Sequence, residues 1–165
     1  MGAGKTTVGR RCAEELRRAF VDTDDLIVAQ AGATVTEIFA AEGEKAFRAR
    51  ERAAVADAVA SPEPLVIACG GGAMVDAENR RAVRATGFVV WLACAPTELA
   101  ARVERDGTAS RPLLAGGPTT VTLTRLEGLR AGTYEQAADA RIPTDGHDVD
   151  AVTRSVLAAY RGASV

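Results

Sequence analysis

Aromatic residues are scarce in this chain: four Phe, two Tyr and one Trp make up 4% of its 165 residues. A core with so few large rings must be closed by small and branched side chains, which favours helices packed closely through alanine. Histidine occurs once, and the three cysteines, Cys12, Cys69 and Cys94, stand far apart in apolar surroundings. No spacing among them resembles a zinc site or a redox pair, so they read as buried, reduced thiols of a cytoplasmic protein. No run is long and apolar enough to span a bilayer as a helix. Nor is there an excess of positive charge. The net charge of -2 leaves no basic footprint for nucleic acid or an anionic membrane, so basic residues must act locally.

What is present is an ordinary globular composition, 47% apolar and 25% charged, in one domain's length. Short β-rich runs alternate with longer helical stretches. Residues 5–18 read as a helix, with Val8, Cys12 and Leu16 at intervals of four. Residues 19–22 read as a short strand ending in acid. Thr34 and Glu37 fit a capping box, and a charged helix is expected over 44–59, stopped by Pro62 and Pro64. An apolar run at 65–69 ends in Gly70-Gly71-Gly72. Asp76 is placed to cap a helix that Gly87 closes. Residues 88–94 form the clearest buried strand, and Pro96 opens a helix reaching Arg105. After a Gly/Pro/Thr-rich stretch over 106–120, helical texture returns as far as 138. An edge strand at 140–142 and a closing helix over 149–160 complete the chain. This alternation implies an α/β fold, a parallel sheet covered by helices on both faces, with ligands beyond the carboxyl ends of the strands.

Gly2-Ala3-Gly4-Lys5-Thr6-Thr7, running straight into a helix, is the second half of the phosphate-binding pattern G-x-x-x-x-G-K-[ST]. Backbone N–H groups at the glycines and at the helix start would cradle phosphates. Lys5 would reach the β and γ oxygens, and the Thr6 hydroxyl would ligate Mg²⁺. In that pattern the first glycine lies ahead of Met1 and follows a strand. The expectation is therefore that Met1 is internal to the loop and that the product begins about ten residues upstream, including a central strand.

The ordered set Met1 to Gly9, Phe20-Val-Asp-Thr-Asp24, Ile38-Phe39, Glu42-Gly43-Glu44, Phe47-Arg48, Gly70-Gly71-Gly72, Arg111-Pro-Leu-Leu114, Arg130 and Tyr134 resembles shikimate kinase over nearly the whole chain. The resemblance implies a three-layer αβα P-loop kinase fold with a five-stranded parallel sheet, its first, central strand missing here. It implies one domain over 1–165, with a substrate-binding helical region at about 23–60 and a mobile lid at about 106–120. The implied reaction moves the γ-phosphoryl group of Mg·ATP to the 3-hydroxyl of shikimate. No nucleic acid or membrane is involved, and the enzyme is expected to be a monomer.

By the same resemblance, ATP falls to Gly2, Ala3, Gly4, Lys5, Thr6, Thr7, Arg105 and Arg111. Asp22 joins Thr6 on the magnesium side, through water. Asp24 contacts the hydroxyl to be phosphorylated, and Lys5, Asp24 and Arg111 form the catalytic set. Arg48, Gly70, Gly71, Gly72 and Arg130 complete the shikimate site. The residues support these roles on their own terms. Asp22 and Asp24 flank Thr23 at a strand end, where alternation puts both carboxylates on one side; the run Asp22-Thr-Asp-Asp25 can also be a solubilising turn that simply caps a helix. Arg48 and Glu51 lie three apart on a helix and can pair, and a fixed arginine grips a carboxylate bidentately. Three glycines allow close backbone approach. Phe39 and Phe47 line the substrate pocket or pack the core.

The adenine end departs from the family. Relatives often carry an arginine where this chain reads Thr144-Asp145-Gly146-His147-Asp148, and His147 either stacks on adenine in its place or is an exposed loop residue. Gly132 and Thr133 also depart from the commoner proline-containing form. The rival readings are another small-molecule P-loop kinase of the gluconate or nucleotide type, and a nucleotide-binding remnant.

Overall fold

The computed structural model describes residues 1–106, 112–114 and 117–163. Helix α1 (Lys5–Leu16) begins directly after Gly4, and Arg17 ends it in the left-handed region at φ 54°. The chain then enters β1 (Ala19–Asp22). Helix α2 (Thr23–Ala31) starts on Asp22 as its cap and stops at Gly32, φ 63°. The capping box at Thr34 is formed in full and opens α3 (Val35–Val59). As the sequence pattern expects, this region is two helices: α3 breaks at a kink on Gly43, whose φ of 80° only glycine adopts cheaply, and the second, charged helix follows it.

Strand β2 (Leu65–Ala68) leads through the three glycines into a 3-10 turn, η1 (Ala73–Val75). Asp76 then caps α4 (Ala77–Thr86), its carboxylate accepting from the Glu78 and Asn79 amides. Next come β3 (Val90–Ala93), α5 (Pro96–Asp106), the turn η2 (Pro112–Leu114) and α6 (Thr119–Ala137). Strand β4 (Ala140–Pro143) and α7 (Val149–Ala163) close the chain.

The strands pair in parallel twos: β1 with β2, Ala19 opposite Leu65, and β3 with β4, Val90 opposite Ala140. The expected single five-stranded sheet is not what the described residues form; they form two two-stranded sheets. The helical layers are nonetheless shared. Val8 and Cys12 of α1 and Val152 and Leu157 of α7 pack on one face, against Val66 of β2, Leu92 of β3 and Ile142 of β4. On the other side Val55 of α3, Met74 and Val83 cluster with Val89 and Tyr134. Between β2 and β3 lies a cavity of about 710 Å³, lined by Val66, Ile67, Val90, Leu92, Val8 and Cys12 among others. The cavity explains why β3, expected to be the most buried strand, is only half-buried over Val90–Leu92. Cys69, expected to be fully buried, likewise opens onto it and is half-buried. Burial beneath the outer surface still pushes its thiol up to about 11, with Lys5 pulling the other way, so it stays protonated and unreactive.

Gly9 shows how tightly the layers sit. A Cβ there would lie 2.6 Å from the Phe20 ring of β1, so α1 can lie flat on the strand only without a side chain.

Candidate active site

The carboxyl ends of β1 and β2 and the start of α1 meet at one place, and the site is built there. Gly2 and Gly4 hold φ values of 72° and 84°, turning the chain so that α1 starts without a side-chain cap or an acidic residue in its first turn. Its first N–H groups therefore face outward with the positive end of the helix dipole, a setting made for an anion. Met1 and Ala3 anchor the loop on the cluster formed by Cys94, Leu99, Ala100 and Val103. A Cβ on Gly2 would also press on Val103 at 3.1 Å and on the Leu99 carbonyl at 3.2 Å, adding crowding to a backbone conformation that already favours glycine.

The Thr6 hydroxyl donates to Asp22 Oδ2 at 2.8 Å. The other oxygen of Asp22 accepts from the Asp24 amide at 3.1 Å as the cap of α2. Capping and a polar role facing Thr6 are thus filled by one carboxylate. The geometry corrects the strand-alternation picture: Asp24 sits in the first turn of α2, not on an extended chain, and the cap turn brings the two carboxylates together. Thr23 between them is completely buried, and its hydroxyl accepts from the Gly70 amide at 2.9 Å. This link ties the end of β1 to the glycine turn.

The three glycines each face a different functional side chain. A Cβ on Gly70 would sit 2.7 Å from Asp24 Oδ1 and 2.8 Å from Glu51 Oε1. On Gly71 it would meet Arg130 Nη1 at 3.4 Å, and on Gly72 it would collide with the Arg48 guanidinium. None of the three has a positive φ, so glycine is needed here for close approach and not for backbone conformation. The expectation that a ring approaches this backbone is sharpened: four of the chain's own ionic side chains already converge on it.

Arg48 donates to Glu51 at 2.8 Å and to Glu44 at 2.8 Å, so two carboxylates on successive turns of the helix hold its guanidinium. Glu51 is 2% exposed, while Arg48 keeps 25% of its side-chain surface open. Arg130, on α6, is 9% exposed, with no carboxylate in ion-pair distance among the described residues. A buried guanidinium without a counter-ion is costly unless an anion comes to it. Asp24 is the most perturbed acid. Burial first, then the charges of Asp22 and Glu51, raise it from 3.8 to about 6 against the pull of Lys5. A carboxylate so poised accepts a proton near neutrality.

These groups fit a magnesium–nucleotide complex. Mg²⁺ takes few protein oxygens and keeps its waters and phosphate oxygens. Thr6 and Asp22 supply two such oxygens beside the anion-ready start of α1, and no larger cluster of metal-binding side chains occurs among the described residues. Lys5 stands at the same helix start, close enough for its charge to act on Asp24.

Other predicted residues fall elsewhere. Phe47 is buried with Ile27, Ile38 and Ala54 and stacks on Phe39, ring centroids 4.6 Å apart, so core packing is its main role. Thr7 is exposed on α1, and Arg105 is exposed in the last turn of α5. His147 is exposed, its Nδ1 2.6 Å from the Asp145 carbonyl. An arginine of α5 does reach the 144–148 stretch. Arg102 donates to the Thr144 carbonyl at 2.9 Å and to its hydroxyl at 3.2 Å, braced by Glu98 at 2.9 Å. The i,i+4 spacing of Glu98 and Arg102 is the only signal for this in the sequence. Arg111, and with it most of the segment expected to form a lid, lies outside the described residues.

Comparison with known proteins points to one family. The family model described as shikimate kinase matches residues 1–161. The shikimate kinase of Symbiobacterium thermophilum is 49% identical over 157 residues, covering 95% of this chain and 90% of the relative. That of Bordetella pertussis is 41% identical over 157 residues, 95% of this chain and 73% of the relative. Among solved structures, the Acinetobacter baumannii shikimate kinase in complex with shikimate superposes with a TM-score of 0.90. It is 38% identical, with 95% of this chain and 86% of that one covered.

Proposed function

The chain belongs to the shikimate kinase family, and from that premise we propose that it transfers the γ-phosphoryl group of Mg·ATP to the 3-hydroxyl of shikimate. The observation that carries the reading is the convergence of Asp24, Arg48 and Arg130 on Gly70–Gly72, one turn of chain from Thr6 and Asp22. A small acceptor with one carboxylate and several hydroxyls suits this arrangement. Arg130 and Arg48 grip the carboxylate, the glycine turn admits the ring, and Asp24 takes the proton of the attacking hydroxyl.

Lys5 and the first N–H groups of α1 hold the phosphates in line with that hydroxyl, so most of the barrier is lowered by placement and charge. When bound, Mg²⁺ neutralises phosphate charge, with Thr6 as a ligand and Asp22 acting through water. Arg111, in a Pro-Leu-Leu context that resembles the family's lid, is assigned to the transferring phosphoryl group. Gly2, Ala3, Gly4, Thr7 and Arg105 complete the nucleotide contacts in this reading.

The cavity between β2 and β3 supports a finer reading of the fold, a five-stranded sheet completed by one more parallel strand. Neither facing strand has a second ladder partner among the described residues, and unpaired backbone groups favour a strand that supplies the missing bonds. Met1 and Ala3 line the same cavity, so such a strand would be continuous with the phosphate-binding loop. The exposed large apolar side chains, Val28, Val75, Val121, Leu129 and Val149, are scattered over α2, η1, α6 and α7, which supports a monomer. Use of ATP and three cysteines without a disulfide support action in the cytoplasm.

Acceptor-dependent release of ADP tests the function. Turnover is expected with shikimate and not with gluconate or a nucleoside monophosphate. Turnover with either of the latter and none with shikimate would overturn the assignment.

A further inference from the structure

Tyr134 has no part in the reaction as described so far, yet it occupies the joint between two halves of the acceptor site. It lies four residues after Arg130 on α6, so the two side chains share one face of the helix. Its hydroxyl donates to the Gly71 carbonyl at 2.5 Å. Arg130 Nη1 lies against the same glycine: a Cβ on Gly71 would sit 3.4 Å from it and 4.0 Å from the Tyr134 phenol oxygen, so guanidinium and phenol are close neighbours at this turn. A phenol has one proton to give. With that proton committed to Gly71, the oxygen lone pairs are left to accept from Arg130. The ring is held from behind by Trp91 of β3, centroids 5.9 Å apart at 55°. Arg130 meets no carboxylate in ion-pair distance among the described residues, which leaves the Tyr134 phenol as the polar side chain beside it at the Gly71 turn.

We propose that Tyr134 is a positioning residue for the acceptor carboxylate: through one hydroxyl it sets Arg130 at a fixed distance from the Gly71 turn. The proposal rests on the reading of Arg130 as a carboxylate grip given above. Phenylalanine in place of Tyr134 keeps the ring and its contact with Trp91 while removing the hydroxyl that bonds Gly71 and stands beside Arg130. Arg130 is then free to swing and the Gly71 carbonyl loses its donor, so acceptor binding weakens while the nucleotide end is untouched.

The test compares the wild-type chain with Tyr134→Phe in steady-state kinetics. Shikimate binding is read in parallel from the fluorescence of Trp91, the sole tryptophan. Expected is a rise of about tenfold in KM and Kd for shikimate, with KM for ATP and kcat changed less than about threefold; hydrogen bonds to charged groups are of that strength. In an Arg130→Lys background the same substitution should cost less than about twofold, because the two residues act as one unit. A wild-type chain that neither binds nor phosphorylates shikimate defeats the functional reading, and this proposal with it. If the wild type is active, an unchanged shikimate KM in Tyr134→Phe refutes the positioning role alone. So does a full-sized effect in the Arg130→Lys background. A lowered melting temperature with KM for both substrates and kcat all degraded together makes Tyr134 structural and also overturns the proposal.

Discussion

Replacing Asp24 with asparagine should destroy activity and stabilise the fold. Asp24 is raised from 3.8 to about 6, chiefly by burial and then by Asp22 and Glu51. The native state therefore binds this proton more tightly than the unfolded chain does. Stability from that preference is complete below 3.8 and is lost as pH rises through about 6, the sign opposite to that of a salt-bridged carboxylate. At 1.36 kcal/mol per pH unit, holding the ionised form at pH 8 costs about 3 kcal/mol, and at pH 4 well under about 1 kcal/mol.

Asparagine has no charge to hold. It gives up the favourable interaction of an acid in the first turn of α2, about 0.5–1 kcal/mol. The net gain at pH 8 is about 2 kcal/mol, or roughly 4–8 °C in melting temperature for a chain of this size. Melting curves of both proteins from pH 4 to pH 8 are the assay. The gap should open as pH rises, while turnover falls at least about 100-fold because the proton acceptor is gone. An Asp24→Asn variant that melts at or below the wild type at pH 8, or a gap that does not vary with pH, would refute the reasoning.

Glu51→Gln weakens the hold on Arg48 and removes a negative charge beside Asp24. The acid limb of the kcat/KM profile should move to lower pH. Because Arg48 keeps Glu44 and is partly open to water, stability should fall by about 2 kcal/mol rather than the roughly 3–5 kcal/mol of a wholly buried pair. Gly72→Ala drives a methyl group into a guanidinium pinned by Glu44 and Glu51, and should raise the shikimate KM about tenfold or more with the ATP KM unchanged. Fusing an apolar β-rich strand of about five residues ahead of Met1 should raise stability by several kcal/mol by filling the cavity, whereas a Gly/Ser extension of equal length should not. Equal melting temperatures for the two fusions would count against the five-stranded reading.

Much of the local structure is legible without coordinates, because its causes are local. The Thr34–Glu37 capping box, the Asp76 cap, the Gly87 stop and the opening of α5 at Pro96 all depend on residues within one turn of each other. The half-motif at Gly2–Thr6 is legible for the same reason: positive φ at Gly2 and Gly4 and a free helix start follow from a few consecutive residues. The Arg48–Glu51 pair is legible from helical spacing alone. Where expectation and structure part, a longer range is involved. Asp24 reads as part of an extended chain because the sequence leaves the acidic run after β1 open between a strand end and a helix cap, and only the fold shows that the cap turn starts on Asp22 itself. Arg102 escapes a sequence reading because its target, Thr144, is 42 residues away.

By itself the sequence determined the glycine-rich, uncapped start of α1, the order of strands and helices along the chain, and which acids and arginines were available. Tertiary structure alone decided what those groups do to one another. Gly70, Gly71 and Gly72 are three identical residues in the sequence, yet packing hands them Asp24 with Glu51, Arg130 with Tyr134, and Arg48 respectively. Thr23 becomes a buried acceptor for Gly70, and burial, with Asp22 and Glu51 nearby, raises Asp24 to about 6, because β1 and β2 run side by side and α3 brings Glu51 to the same turn. Backbone caps and periodicity are fixed by neighbours in the chain. A pKa or an unpaired guanidinium is fixed by neighbours in space, which only the packed core brings together.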